Sequence, residues 1–195
     1  MKKLFGCATV MMFCVSIVAA QETHFGLKAG VNFASVNNSP GADYKSKAGL
    51  HIGGLAHIHL NKNFALQPEL IFSMQGGKAD NDFKLKLNYI NIPMLVQYMT
   101  ENGFRLQTGP QLGLLTSAKS ENGNVEVNIK DNFTSADFSW VFGAGYLFPG
   151  GFGVDARYNL GISDVWDADN AKLKNSVFQL GVFYQFMHGK NSHGK

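Results

Sequence analysis

The chain has 195 residues, of which 16% are charged and 45% hydrophobic, and its formal net charge is +3. This length suits a single domain, and the clustered basic face that nucleic-acid binding requires is not visible. Outside the first twenty residues, no run approaches the roughly 18 apolar residues of a transmembrane helix, which excludes a helical membrane protein. Soluble all-β proteins and membrane β-barrels both remain open, because barrel strands alternate apolar and polar residues.

The N-terminal segment has the three parts of a secretory signal peptide. Lys2 and Lys3 form a basic start, residues 4–18 are mostly apolar, and residues 18–20 form a small-residue cleavage site. We therefore expect residues 1–20 to be cleaved during export.

Both cysteines, Cys7 and Cys14, lie in this segment. The exported protein would then have no cysteine, which excludes disulfides, thiol catalysis and cysteine-bound metals. The expected organisation is a signal peptide over 1–20, a barrel domain over 21–186 and a flexible tail over 187–195.

From Phe25 onward, apolar and polar residues alternate with a period of two, which predicts β-strands with one apolar face. The segments are about as long as the 9–11 residues that a tilted membrane strand requires. Eight such segments occur, at 25–33, 50–60, 64–75, 85–98, 104–114, 138–148, 152–162 and 178–186. In the fourth, Leu85 and Leu87 are out of phase with Ile90 and its successors, which predicts a bulge or a strand start near Asn88.

Alternation alone does not show which face meets lipid, but the connection lengths bear on the question. Three connections are short, at 61–63, 100–103 and 149–151. The others are longer, at 37–47, 77–84, 117–136 and 163–174. Short turns at one rim and long loops at the other are typical of outer-membrane barrels.

Aromatic residues on the apolar face fall near both rims of the predicted barrel. Near the short turns lie Phe25, Phe64, Tyr98, Phe104, Phe148, Phe152 and Phe186. Near the long loops lie Phe33, Phe72, Phe138, Tyr158 and Phe178. Aromatic residues favour strands in general, but two belts are typical of rings at two membrane interfaces. We therefore predict an all-β, eight-stranded antiparallel up-and-down transmembrane β-barrel in the cell outer membrane, with its apolar faces in lipid.

Five charged residues share the polar face and would line the lumen. An eight-stranded barrel is just wide enough for its interior side chains to fill it, and an unpaired charge there costs several kcal/mol. We therefore predict a lumen ion-pair network of Lys28, Glu69, Arg105, Asp155 and Arg157.

Other candidate sites have weaker patterns. His57 and His59 have the spacing of a strand metal site, but no close third ligand follows, which favours polar lumen lining. Ser163 and the acidic residues within 164–169 lack a neighbouring histidine, so a lipid-modifying enzyme is disfavoured. We expect no catalytic residue, no metal and no cofactor.

Several segments in succession resemble the PorT-like outer-membrane β-barrel family. They are LQPEL (66–70), SMQG (73–76), INIPML (90–95), GPQLG (109–113) and DARYNLG (155–161). The resemblance extends over about residues 24–186. It implies an outer-membrane location and an antiparallel barrel, and for most members no known biochemical activity.

The last predicted strand also resembles the C-terminal signal that barrel-assembly machinery reads, through Gln179, Gly181, Tyr184 and Phe186. The expected partners are outer-membrane lipid, this machinery, and a protein or glycan at the external loops. Our leading hypothesis is a non-enzymatic envelope protein with a plugged lumen. The alternatives are a narrow pore or secretion-associated component, and a soluble secreted barrel that binds a small apolar ligand.

Overall fold

The computed structural model describes residues 22–39, 45–78, 83–122, 125–130, 134–163 and 172–186. The predicted signal peptide and tail lie outside these residues. The strands are β1 (Thr23–Ser39), β2 (Lys45–His59), β3 (Phe64–Lys78), β4 (Phe83–Met99), β5 (Phe104–Asn122), β6 (Val125–Asn128), β7 (Ala136–Leu147), β8 (Phe152–Gly161) and β9 (Lys172–Gln185). Within the described ranges, no helix is long and apolar enough to cross a membrane.

The strands form a single closed antiparallel sheet. Each long strand pairs with its neighbour in sequence, β5 pairs with β7, and β1 pairs with β9. The β4–β5 pairing closes the ring, whereas β6 pairs only with the end of β5. The fold is therefore the predicted eight-stranded barrel, to which β6 adds a short hairpin extension.

Successive side chains point to opposite sides of the barrel wall, as the period of two requires. The apolar row faces outward: Phe72 and Val182 are 41% and 46% exposed. The polar row faces the lumen, where Glu69 and Arg157 are 4% and 3% exposed. A soluble barrel would reverse this arrangement.

The aromatic residues of both predicted belts are exposed on the outer wall. Rings on neighbouring strands contact each other: Phe64 and Tyr98 at one rim have centroids 5.4 Å apart, and Phe33 and Phe178 at the other have centroids 6.5 Å apart. The apolar band of the wall is therefore bordered by rings at both ends.

Short turns lie at one end of the barrel. In one of them Gly103 has a φ of 93°, which favours glycine, and its amide donates to the Thr100 carbonyl at 3.1 Å. Since outer-membrane barrels place short turns in the periplasm and longer connections outside, we name the opposite end the external end.

The strands extend further at the external end than the sequence predicts. β1 continues to Ser39, β5 continues to Asn122, and β9 begins at Lys172. The strands therefore take up parts of the predicted long connections, and within these connections residues 40–44, 79–82, 123–124, 131–133 and 164–171 lie outside the described residues. The alternation weakens there because an antiparallel ladder beyond the apolar band needs no apolar row.

The irregularity predicted near Asn88 is present, but the extra residue belongs to β5. Asn88 pairs with Ser117 and Tyr89 with Leu115, which leaves Thr116 as the additional residue. β4 itself keeps one phase throughout, so Leu85 and Leu87 point into the lumen.

These inward residues form an apolar cluster near the external end of the lumen. Its members are Leu85, Leu87, Tyr89, Leu115 and Ala118, and Ile129 packs against them. The lumen-facing row is therefore apolar at this end, whereas it is mainly polar further along the barrel.

Candidate functional site: a polar network across the lumen

An ion pair crosses the full width of the barrel. Arg157 on β8 donates from Nη1 to Glu69 Oε2 at 2.7 Å and from Nη2 to Oε1 at 2.6 Å. Glu69 lies on β3, and four steps around the ring separate β3 from β8 in either direction. The two strands are therefore opposite each other, and the bidentate geometry fixes both side chains at the centre.

A second pair joins this bridge from one side. Lys28 on β1 contacts Asp155 on β8, and Arg157 Nε lies 3.0 Å from Asp155 Oδ2. The intervening strand β9 has Gly181 at this level, where a Cβ atom would lie 2.7 Å from Asp155 Oδ1. The missing side chain leaves the space in which Lys28 and Asp155 meet.

Two cations therefore balance two anions at the centre, and each is almost completely buried. Mutual pairing offsets the cost of removing these charges from water. Loss of any one partner would leave an uncompensated charge in the lumen.

Glutamine side chains extend the bridge to further strands. Gln107 Oε1 accepts hydrogen bonds from Arg157 Nη2 at 3.1 Å and from Gln97 Nε2 at 2.8 Å. Gln67 Nε2 donates to Glu69 Oε1 at 2.6 Å, and Gln67 Oε1 lies 3.1 Å from His57 Nδ1. These glutamines were not among the predicted site residues, although their positions in the polar row indicated that they share a face with the charged residues.

Arg105, the fifth predicted member, lies apart from the central four. It faces the lumen near the short-turn end and donates from Nη2 to Gln185 Oε1 at 3.3 Å. Its guanidinium carbon lies 5.8 Å from the centre of the Phe183 ring. The structure thus brings four of the five predicted charges together and gives Arg105 a separate partner set.

A neutral layer lies on the external side of the charged centre. Asn32 Nδ2 donates to Ser73 Oγ at 2.9 Å, and Asn32 Oδ1 accepts from Gln179 Nε2 at 2.9 Å. His51 Nδ1 lies 2.8 Å from the same Asn32 oxygen. Polar contacts therefore continue along the lumen towards the apolar cluster.

The residues of the predicted assembly signal lie on both faces of the wall, three of them on β9 and Phe186 directly after it. Gln179 and Gly181 are buried in the lumen, whereas Tyr184 and Phe186 are exposed on the outer wall. Their order in the strand follows the alternation of the wall.

Among the described residues, the other candidates are not brought together as a catalytic or metal site. The His57 and His59 rings have centroids 4.7 Å apart, but the described part of the chain has no group of three or more potential ligands placed to hold a metal ion. Ser163 Oγ donates to Asp137 Oδ1 at 2.8 Å and accepts from the Phe138 amide at 2.7 Å. The acidic residues within 164–169 lie outside the described residues.

Comparison with known proteins agrees with this architecture. Residues 19–167 match the family described as outer membrane protein beta-barrel domain. No curated protein matches the chain in sequence.

Solved structures share the fold at low sequence identity. Neisserial surface protein A has a TM-score of 0.62 and 17% identity, with 85% of this chain and 100% of that chain covered. Ail, the attachment invasion locus protein of Yersinia pestis, has a TM-score of 0.52 and 16% identity, with 85% and 99% covered. Ail in complex with the heparin analogue sucrose octasulfate has a TM-score of 0.50 and 16% identity, with the same coverage.

The match covers most of the chain, and the closed barrel and its apolar outer row agree with it. The chain therefore belongs to the outer membrane β-barrel domain family and is an outer-membrane β-barrel protein.

Proposed function

We propose that this protein is a non-enzymatic barrel with a plugged lumen, and that its specific role lies at the external end, where it binds a protein or glycan partner or supports the envelope. The single observation that carries the proposal is the Arg157–Glu69 bridge between opposite strands. A side-chain bridge at the centre of an eight-stranded barrel occupies the space that a solute would need.

The filled lumen also argues against catalysis. An active site needs a cleft that admits a substrate, whereas the central charges are paired with one another and buried. Of the earlier candidates, His57 contacts Gln67 in the lumen and Ser163 donates a hydrogen bond to Asp137.

External binding is supported by the hairpin of β5 and β6, which extends beyond the closed ring. Val127 on β6 is 51% exposed there. Ail, which shares the fold, is named for attachment and has been solved with a heparin analogue. The parts of this chain that would bind a partner are the connections at 117–136 and 163–174.

A narrow pore or secretion-associated component is the second candidate. Several buried lumen atoms have no protein partner among the described residues, including both amide atoms of Asn159 and Nη1 of Arg105. Such atoms are ordinarily satisfied by internal water, and a continuous file of water would favour a pore.

Planar-bilayer recording separates the two candidates. We expect the purified parent protein to form no stable channel, and a Glu69→Ser/Arg157→Ser variant to show small discrete openings because both bridging side chains are removed together. Lys62→Ser, at the exposed short-turn rim, is the matched control. Stable discrete conductance from the parent would overturn the plugged lumen and favour the pore.

Three finer assignments are part of the same proposal. We infer that residues 1–20 are a cleaved signal peptide, that the chain is PorT-like within its family, and that Gln179, Gly181, Tyr184 and Phe186 are read by barrel-assembly machinery. The basic and apolar N-terminal pattern supports the signal peptide. The ordered succession of family-like segments supports the PorT-like assignment. The placement of the four residues on both faces of the wall supports the assembly signal. A soluble carrier is disfavoured because its outer row would be polar.

A further inference from the structure

A cleft opens in the barrel wall at the external end, between β2 and β5. Its volume is about 520 Å³, and of the described residues that line it three are lysines and none is acidic. The lysines are Lys47, Lys86 and Lys119. The β2–β3 ladder is interrupted at this place, between the pairs Ser46/Gly77 and His51/Ser73.

Two of these lysines are held close together by the strand register. Lys86 on β4 is directly opposite Lys119 on β5. Like charges at opposed positions destabilise a sheet, and here Glu121 pairs with Lys86 and reduces that cost in part. Lys47 is fixed nearby, since its Nζ donates to the Leu85 carbonyl at 3.0 Å. Three lysine side chains therefore meet at the cleft, where an anion would contact them.

An apolar groove on the outer wall continues from this cleft. It has a volume of about 540 Å³ and shares Leu50 and Met74 with the cleft. It runs down the lipid-facing row past Ile52, Phe72 and Ala29. A ligand that occupies both spaces has an anionic head and a hydrocarbon tail.

The height of the lysines matches the phosphate level of a membrane. The last apolar outer pair on these strands is Ile90 with Leu114, and Lys86 lies four residues further along β4. Four residues advance about 13 Å along a strand and about 9 Å along the axis of a tilted barrel. The headgroup layer is about 5–7 Å thick. The backbone of Lys86 therefore lies slightly beyond this layer, and its long side chain can reach back to the phosphates.

We infer that this cleft and groove form a binding site for a phosphorylated glycolipid of the outer leaflet. The phosphate contacts Lys86 and Lys119, with Lys47 at the inner edge, and one acyl chain lies along Leu50, Met74 and Ile52. This site is on the wall and does not depend on whether the lumen conducts.

Binding to the folded full chain in dodecyl maltoside micelles tests the site, with bisphosphorylated lipid A as the probe and native mass spectrometry as the readout. Each lysine near an anionic surface contributes about fivefold in affinity. We therefore expect Lys86→Gln/Lys119→Gln to weaken binding by roughly thirtyfold. Lys62→Gln at the opposite rim should leave the affinity for lipid A unchanged. Lys86→Arg/Lys119→Arg keeps both positive charges and should bind lipid A as the parent does.

A second variant tests the groove separately. Ala29→Phe places a ring into the groove from the lipid-facing side and leaves the lumen untouched, so it should weaken lipid A binding while all three lysines remain. Heat-modifiable gel mobility confirms that each variant is folded. Equal binding by parent and Lys86→Gln/Lys119→Gln overturns the inference, as does equal binding of dephosphorylated lipid A. If millimolar inorganic phosphate alone displaces lipid A completely, the site binds phosphate and not a lipid, which also overturns the inference.

Discussion

Arg157 is the residue on which the central network depends most. It contacts both lumen carboxylates of the network, Glu69 and Asp155. Arg157→Leu would leave one net negative charge buried, and breaking a buried pair in this way costs about 3–5 kcal/mol. We expect that loss in the free energy of unfolding, measured by urea titration of the protein folded into phospholipid vesicles.

The matched control removes both members of the bridge. Glu69→Leu/Arg157→Leu leaves Lys28 and Asp155 as a balanced pair, so this variant should be more stable than Arg157→Leu alone. If the free energy of unfolding falls equally in the single and the double variant, the carboxylate left by Arg157→Leu is solvated. The predicted cost of an unpaired buried charge is then wrong.

The membership of this network could be predicted from the sequence, but its pairing could not. Strand alternation places Lys28, Glu69, Asp155 and Arg157 on one common face, and the connection lengths and aromatic belts predict that this face lines the lumen. Which cation meets which anion depends on the stagger of strands around the ring, and that stagger is a property of closure. The approach of Lys28 to Asp155 further requires the gap at Gly181 on the strand between them.

At the scale of the elements, the bulge in β5 is the clearest irregularity. Thr116 is the extra residue, and its Oγ1 donates to the Asn88 carbonyl at 2.9 Å. Its deletion keeps Leu87 opposite Ala118 and makes the ladder regular, so the same residues stay in the lumen. We expect the deletion variant to fold, with a loss of at most about 1 kcal/mol for the missing hydrogen bond.

A deletion in a regular strand provides the comparison. β9 pairs with β1 and β8 without a register shift. Deletion of Leu180 there moves every residue on one side of the gap to the other face, which places apolar side chains in the lumen and polar ones in lipid. Refolding followed by heat-modifiable gel mobility should show a folded band for the Thr116 deletion and none for the Leu180 deletion. The opposite result would contradict the register.

The strand boundaries show where sequence patterns lose their meaning. Within the apolar band the alternation predicts all eight wall strands, because lipid on one side and a packed lumen on the other impose opposite demands. Beyond the band the outer row no longer meets hydrocarbon, and the sequence pattern of β1 after Phe33 and of β5 after Leu115 no longer alternates. Leu85 and Leu87 are the exception: their reversed phase predicted an irregularity near Asn88, whereas the register with β5 shows that they belong to the lumen cluster.

At the scale of the whole molecule, the bridges hold opposite walls together while the outer surface is apolar. A water-soluble protein rarely exposes so continuous an apolar surface. Lipid must therefore cover the band between the two aromatic belts, and the hairpin of β6 must project beyond it. These two environments make the same substitution harmless at one place and costly at another.

Two valines with similar exposure test this division. Val182 lies in the middle of the outer row of β9 and is 46% exposed, and Val127 on β6 is 51% exposed. Arginine at the bilayer midplane costs about 2–4 kcal/mol on the lipid face of a barrel. Val182→Arg should therefore lower the free energy of unfolding in phospholipid vesicles by that amount. Val127→Arg should leave it unchanged within about 0.5 kcal/mol, as for ordinary surface positions. Equal effects at both positions would mean that water, and not hydrocarbon, surrounds β9.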